Sequence, residues 1–195
     1  MSQETRQRIL DKNFEAMHKH GFQGMRTDKV VQELGITKGA FYHYFQSKQE
    51  LGYALVDEKL APMYLHPWKE WPAKPGNPVE QIVELIRFLS DMQNEDLIKL
   101  GCPLNNLIQE MAPLDEGFRL RLGRIVEGMQ AGIREALLRG QREGSVRTDT
   151  DAADAAVFIV SAMEGAFGIA KAQQSLAIFR QAVRQLTAYV RSLAA

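Results

Sequence analysis

Residues 21–51 read GFQGMRTDKVVQELGITKGAFYHYFQSKQEL, and this stretch decides the fold of the N-terminal part of the chain. Thr27 can act as the N-cap of a short helix, since its hydroxyl can accept a backbone N–H. Gly35 ends that helix, and Thr37 caps a second short helix over about residues 38–44. Two short helices joined by a three-residue turn that contains glycine form a helix-turn-helix. The stretch therefore predicts a DNA-binding module.

The second short helix has two distinct faces. Phe41, Tyr44 and Phe45 fall at i, i+3 and i+4, so they form the face that packs into the module. A recognition helix points its N-terminal residues at base edges in the major groove, where lysine can donate to guanine or to phosphate. The face left for DNA carries Lys38, Gly39, Tyr42 and His43.

Lys48 lies at the start of the next helix, beside amides that could hold a phosphate together with its ammonium. The run FYHYF, residues 41–45, could by itself be an ordinary aromatic core stripe. The two caps, the glycine turn and Lys48 in register favour DNA binding over that alternative.

The Gly-Ile turn, the aromatic recognition helix and the Ser-Lys pair that follows resemble the DNA-binding module of the TetR family of transcriptional regulators. The resemblance implies a helix-turn-helix domain over 1–46 and a ligand-binding and dimerisation domain over 47–195. Asp28 departs from the family pattern, because a carboxylate cannot donate to phosphate; we expect it to cap its helix or to accept from cytosine. The implied DNA contacts are Thr27, Thr37, Lys38, Gly39, Ala40, Tyr42, His43 and Lys48.

Apolar periodicity predicts helices along most of the chain. A first helix runs from Ser2 to His20, and a longer one starts near Ser47 and weakens at Pro62. Four prolines and a glycine predict a loop over 66–78. No strand-like alternation stands out, so the fold class is all-α, a three-helix module followed by a helical bundle, with about nine helices. The later segments are 79–93, 103–111, 115–143, 149–171 and 175–193.

Composition points to an ordinary globular protein, with 45% apolar and 25% charged residues. The 24 basic and 24 acidic residues balance, so a basic DNA-binding face would have to be local. Cys102 is the single cysteine and excludes an internal disulfide. The polar N-terminus and the lack of an apolar run approaching about 20 residues predict a cytoplasmic protein without a membrane partner.

Large apolar side chains on the later segments suit an adaptable cavity for a small-molecule inducer, although each one alone is more simply a core residue. Amide side chains at the start of the segment 103–111 could orient the inducer. The candidate ligand-binding residues are Met63, Trp68, Phe88, Met92, Cys102, Asn105, Asn106, Gln109, Phe118, Met163 and Phe167.

The last two segments are rich in alanine and glycine, which let helices approach closely. The family resemblance implies that they pair with their counterparts in a second copy of the chain, as a four-helix interface. The alternative is a helix pair inside a single chain. The candidate interface residues are Ala162, Gly165, Ala166 and Ile169.

The four histidines, His18, His20, His43 and His66, lack the spacing of metal ligands. Neither a nucleophile elbow, nor a phosphate-binding glycine loop, nor H-E-x-x-H occurs in the sequence. We therefore expect no metal, no cofactor and no enzymatic activity.

The sequence thus predicts a homodimeric repressor that leaves a palindromic DNA operator when a small molecule binds. The segment 101–111, GCPLNNLIQEM, resembles the start of the sixth helix in a TetR subgroup, some of whose members carry an electrophile-responsive cysteine here. Electrophile modification of Cys102 at a helix start is thus a second route of release, against the alternative of an inert buried thiol. The rival function is a helical protein-interaction or small-molecule carrier module without DNA binding, which would leave Lys38, Tyr42 and Lys48 without a purpose.

Overall fold

The computed structural model describes residues 3–195, and the regular structure among them is helical. The all-α class is therefore confirmed. Nine helices result when the uninterrupted helical run 48–73 counts as one and the short helix α7 is set aside. The elements are α1 (Gln3–Gly24), α2 (Thr27–Glu33), α3 (Lys38–Tyr44), α4 (Lys48–Leu55), a π-helical turn (Val56–Leu60), α5 (Ala61–Ala73), α6 (Pro78–Asp91), α7 (Glu95–Leu100), α8 (Pro103–Met111), α9 (Glu116–Arg142), α10 (Ala152–Gln173) and α11 (Leu176–Arg191).

The helices form two compact units, which are described separately. The first unit comprises Met1–Met63 and Pro103–Gly123, and the second comprises Tyr64–Cys102 and Arg124–Ala195. Compactness of this kind does not define functional domains, so the boundary at residue 46 stays a prediction.

The core of the first unit is built around α1. Leu10, Phe14 and Met17 recur at i, i+4 and i+7, the spacing of one helix face. Leu10 and Met17 are buried there, while Phe14 is half-buried. The predicted end at His20 is confirmed as a break, because the next residue, Gly21, leaves the helical conformation at φ 75° and ψ 166°. One further helical turn follows it before α2, and Ser2, the predicted start, lies outside the described residues.

The second unit packs α6, α7, α10 and α11 with the C-terminal part of α9. Its core consists of apolar side chains that lie one helical turn apart on each helix, such as Ile82 and Ile86 on α6 and Ile159 and Met163 on α10. Some of the small residues of α10, among them Ala155, Ala156 and Ala170, are buried in that core.

The helix caps were predicted with mixed success. The cap predicted at Thr37 is confirmed, since its hydroxyl accepts from the amide of Ala40 at 3.1 Å. Ser47, near which the longer helix was predicted to start, caps α4 by accepting from the amide of Glu50 at 3.0 Å. The prediction for Thr27 was wrong: Thr27 is the first residue of α2, and Arg26 holds the cap position without a side-chain bond.

The predicted loop over 66–78 was also wrong, because α5 continues through Pro67 and Pro72 to Ala73. Proline at 72 removes the amide that would bond to the Trp68 carbonyl. That carbonyl lies against Gly132 of α9, where any Cβ would collide with it. Burial of the Trp68 ring thus stabilises a helix that proline would otherwise interrupt.

Two further features were not predicted from the sequence. The short helix α7 was not predicted, although Asn94 caps it by accepting from the amide of Leu97 at 2.9 Å. Within residues 3–195, α10 has the length and mean hydropathy of a membrane span, contrary to the expectation that no such run exists. Core helices of globular proteins share these properties, and α10 contributes the buried Ile159 and Met163 to the second unit.

Candidate nucleic-acid interface

The helix α3 presents the two faces that its sequence predicts. Phe41 and Phe45 are buried, with ring centroids 6.1 Å apart, and Tyr44 is half-buried. Tyr42 is 56% exposed. The other side chains of the predicted DNA face are exposed too, namely Lys38, Gly39 and His43.

The turn before α3 is tight because Gly35 adopts a left-handed conformation with φ 65°. Thr37 is exposed and its hydroxyl is engaged by the amide of Ala40, which is half-buried. The side chain of Thr37 thus fixes the start of α3, the end that a recognition helix directs at base edges.

Arg26 and Asp28 form a bidentate ion pair beside α2. The guanidinium donates to the two carboxylate oxygens at 2.9 and 2.7 Å. This hydrogen bonding lowers the pKa of Asp28 to about 2, so the carboxylate is charged at neutral pH. Thr27, between the two residues, is half-buried. Asp28 therefore neutralises the charge of Arg26.

Lys48 is placed differently from the sequence expectation. Its ammonium donates to the carbonyls of Gln23 at 2.9 Å and Met25 at 2.8 Å, so at most one N–H remains for a phosphate. Burial lowers the pKa of this ammonium, and the nearby Glu110 carboxylate opposes that shift. Lys48 thus anchors the end of α1 within the module.

Cys102 lies in the second unit in a polar cluster with Tyr64 and Glu164. Its sulfur is 2.9 Å from the Tyr64 hydroxyl, and the thiol is hydrogen-bonded to the Glu164 carboxyl. Burial raises the pKa of Glu164, while the bond from Cys102 acts in the opposite direction. Cys102 is buried and lies directly before α8, so its predicted position at a helix start is confirmed.

The remaining ligand candidates fall in both units. In the first unit, Phe118 is buried in edge-to-face contact with Phe22 and Tyr53, with ring centroids 4.8 and 5.1 Å away, so it belongs to the core there. The other candidates of that unit are the exposed Met63 and Gln109 and the half-buried Asn105 and Asn106. Those of the second unit are the buried Trp68 and Met163, the exposed Phe88 and Met92, and the half-buried Phe167.

The predicted interface residues on α10 differ in exposure. Ala166 is buried inside the second unit and Ala162 is half-buried. Gly165 is exposed, and so is Ile169, at 56%. The same helix exposes further apolar side chains at Val157 and Phe158.

Sequence reasoning missed three residues that shape these sites. Glu164 had a visible signal, since it is the one acid in the apolar run 155–170. Tyr64 and Glu110 had none, because their partners lie 38 and 88 residues away in the chain. Among residues 3–195 no group of three His, Cys, Asp or Glu side chains could hold a metal ion. That the protein needs no cofactor stays a prediction.

Two family models match the chain. The model described as bacterial regulatory proteins, tetR family, matches residues 9–55. The model described as tetracyclin repressor-like, C-terminal domain, matches residues 78–186, which is more than half of the chain.

Curated relatives carry the names of transcriptional regulators. An uncharacterised HTH-type transcriptional regulator of Lactococcus lactis is 29% identical over 133 residues, which is 68% of each chain. The HTH-type transcriptional repressor DhaR of a Mycobacterium species is 24% identical over 162 residues, covering 83% of this chain and 80% of the relative.

Solved structures show the same fold. A TetR transcriptional regulator from Chloroflexus aurantiacus superimposes with a TM-score of 0.85 at 24% identity, over 98% of this chain and 96% of the other. The reduced form of Escherichia coli NemR has a TM-score of 0.82 at 24% identity, over 98% and 97% of the two chains.

Proposed function

Because the chain belongs to the TetR family of bacterial transcriptional regulators, we propose that it is a homodimeric repressor of a palindromic operator. Two copies of α3 would enter successive major grooves, with centres about 34 to 36 Å apart. Occupation of the C-terminal part by a small molecule shifts α4 and changes this spacing, so the repressor leaves its operator.

The observation that carries the proposal is the exposed face of α3. Lys38, Tyr42 and His43 project from a helix whose opposite face is locked by the buried rings of Phe41 and Phe45. A rigid helix with exposed hydrogen-bonding side chains at its N-terminal part suits base readout. Thr27, Thr37, Gly39, Ala40 and Lys48 complete the proposed contact set.

The exposed apolar side chains of α10 support the dimer. Val157, Phe158 and Ile169 would lie in water in a single chain, although burial of such surface is favourable. Gly165 carries no side chain and would let the α10 helices of two copies approach closely. A two-fold dimer explains why the operator would be palindromic.

The inducer is proposed to bind near Cys102, Tyr64 and Glu164. Cys102 is buried and Tyr64 and Glu164 are half-buried, and a polar cluster of this kind among apolar side chains can orient a small molecule. Reversible binding fits this environment better than electrophile attack on Cys102, because the thiol is buried and hydrogen-bonded, and burial disfavours the thiolate that such an attack requires. Cys102→Ser that still responds to an electrophile would rule out the second route.

The proposed setting is the cytoplasm, where the protein would meet DNA without a membrane partner. The family is one of regulators rather than enzymes, and the absence of catalysis by this chain remains part of the proposal.

A gel shift with the DNA upstream of its own gene, at two salt concentrations, tests the proposal. We expect a shifted complex whose affinity falls with salt. Lys38→Ala should change the base preference, whereas Lys48→Ala should weaken binding to every sequence, because it removes a proposed phosphate contact as well as an anchor of the module. The exposed Lys69, which lies outside the module, supplies the control variant Lys69→Ala. No shift at either salt concentration would instead favour a carrier or protein-interaction module.

A further inference from the structure

A single helical turn separates the break in α1 from the start of α2. After Gly21, the amide of Met25 donates to the Gly21 carbonyl at 3.0 Å and closes a turn over 21–25. The amides of Phe22 and Gln23 stand at the N-terminal end of that turn, where no preceding helical carbonyl can accept from them. These amides therefore need another acceptor.

Glu110 of α8 supplies both acceptors. Its Oε2 accepts from the amide of Phe22 at 2.8 Å, and its Oε1 accepts from the amide of Gln23 at 2.7 Å. A Cβ at residue 21 would lie 3.0 Å from Oε2, so glycine there permits both the positive φ and the approach of the carboxylate. The carboxylate of Glu110, on a helix far away in sequence, thus caps the N-terminal end of the turn by accepting from both amides.

Lys48 holds the opposite end of the same turn. Its ammonium donates to the carbonyls of Gln23 and Met25 and lies 5.2 Å from the centroid of the Phe22 ring. A negative charge at the amide end and a positive charge at the carbonyl end both match the polarity of a helical turn. The turn is therefore clamped between α8 and α4.

This clamp lies directly before the DNA-binding helices. Phe22 and Met25 are buried, and Thr27 begins α2 two residues after the turn. The position of the turn therefore sets where α2 starts. Glu110 is on the same helix as Asn105, Asn106 and Gln109, three candidate ligand residues.

We propose that Glu110 is a positioning residue for DNA binding, whose carboxylate transmits the position of α8 to the start of α2. Movement of α8 on inducer binding withdraws the carboxylate from the Phe22 and Gln23 amides, and α2 and α3 then lose the placement that fits the operator. The inference rests on the proposed function, and it assigns the residue through which effector and DNA sites communicate.

Glu110→Gln tests this role, because the amide keeps the size of the side chain but removes the charge and one acceptor. Glu116→Gln is the matched control, since Glu116 is an exposed acid of the same unit that pairs with Arg119 one turn along α9. The probe is an operator duplex selected by the wild-type protein from random-sequence DNA, with a scrambled duplex beside it. Hydrogen exchange of the Phe22 and Gln23 amides is measured on the same proteins.

We expect E110Q to lower operator affinity about tenfold, the loss of part of a charge-assisted hydrogen bond, without changing affinity for the scrambled duplex. The two amides should exchange faster in E110Q and unchanged in E116Q. A general loss of stability would instead weaken binding to both duplexes.

Equal operator affinity and equal exchange in E110Q and E116Q would overturn this inference alone, since the wild type would still recognise its operator. A wild-type chain that enriches no sequence contradicts the proposed function and this inference together. If E110Q does not fold, exchange in the wild type decides: amides of Phe22 and Gln23 that exchange as fast as that of exposed Ser47 contradict the clamp.

Discussion

At the scale of single residues, local pairing decides which cations of the module can meet DNA. Arg26 is neutralised by Asp28, and Lys48 donates to two backbone carbonyls. Lys38 is exposed at the start of α3. The number of basic residues in the module therefore overstates the charge available for phosphate contacts.

Asp28→Asn should strengthen DNA binding severalfold. The substitution removes a negative charge beside phosphate and frees Arg26, so the slope of log affinity against log salt should steepen by about one unit. A salt titration with one duplex measures this slope. Asp149→Asn is the control, because Arg147 and Asp149 form the same bidentate pair in the second unit, at 2.9 and 2.6 Å. Identical slopes for the two variants would contradict the role given to Asp28.

The raised pKa of Glu164 should make the free energy of unfolding depend on pH. Burial raises its pKa above the ordinary 4.5, so the folded chain binds this proton more tightly than the unfolded chain. The contribution to stability is complete below about pH 4.5 and is lost as pH rises through the folded pKa, by at most about 1.4 kcal/mol per pH unit. Urea unfolding of Glu164→Gln across this range should show a flatter profile than the wild type. Glu127→Gln, at an exposed position of α9, should keep the wild-type profile, and a wild-type profile in both variants would refute the assignment.

Single residues also show what the sequence could reveal about the site. Phe41 and Phe45 were predictable, because a face repeats at helical spacing. The engagement of Lys48 was not, since its acceptors are backbone carbonyls 23 and 25 residues earlier. Long-range hydrogen bonds to the backbone leave no pattern in the residue types of a sequence.

At the scale of elements, caps and packing compete with helix propensity. Thr37 and Ser47 were predictable caps because the bond is local, three residues along the chain. The course of α5 through Pro67 and Pro72 was not, since it depends on Trp68 and Gly132, which pack together across the second unit. Proline patterns thus predict helix ends well only where tertiary packing does not compensate.

Two glycines on helices of the first unit should respond oppositely to alanine. A Cβ at Gly52 of α4 would lie 2.5 Å from ring atoms of Phe118 and Phe22, so Gly52→Ala should destabilise by about 1 to 3 kcal/mol. Gly123 of α9 has no atom within 4 Å of such a Cβ, so Gly123→Ala should stabilise by about 0.4 to 1 kcal/mol. Chemical denaturation measures both. Destabilisation by both substitutions to the same extent would show that packing at Gly52 is not the cause.

At the scale of the whole molecule, recognition of a palindromic operator needs two chains. A single chain offers one α3, which reads one half-site. Two-fold pairing of two chains doubles the contacts and supplies the symmetry that a palindrome requires. The exposed apolar side chains of α10 are the surface that pairing would cover.

Ile169→Glu should produce monomers that bind DNA poorly, since a charge in a closely packed helix interface remains unpaired. Leu138→Glu is the matched control, because it also replaces an exposed apolar residue, on α9. Sedimentation velocity at micromolar concentration distinguishes dimer from monomer. Dimers of unchanged stability in Ile169→Glu would place the interface elsewhere.

Operator recognition by a two-fold dimer is tested by comparing two duplexes at one salt concentration. One carries the selected palindrome, and the other has one half-site scrambled with its length and composition kept. A dimer that reads both half-sites with α3 should bind the intact palindrome at least about a hundredfold more tightly, because each lost base-pair contact costs about 1 to 3 kcal/mol. Equal affinity for the two duplexes would contradict operator recognition by a two-fold dimer.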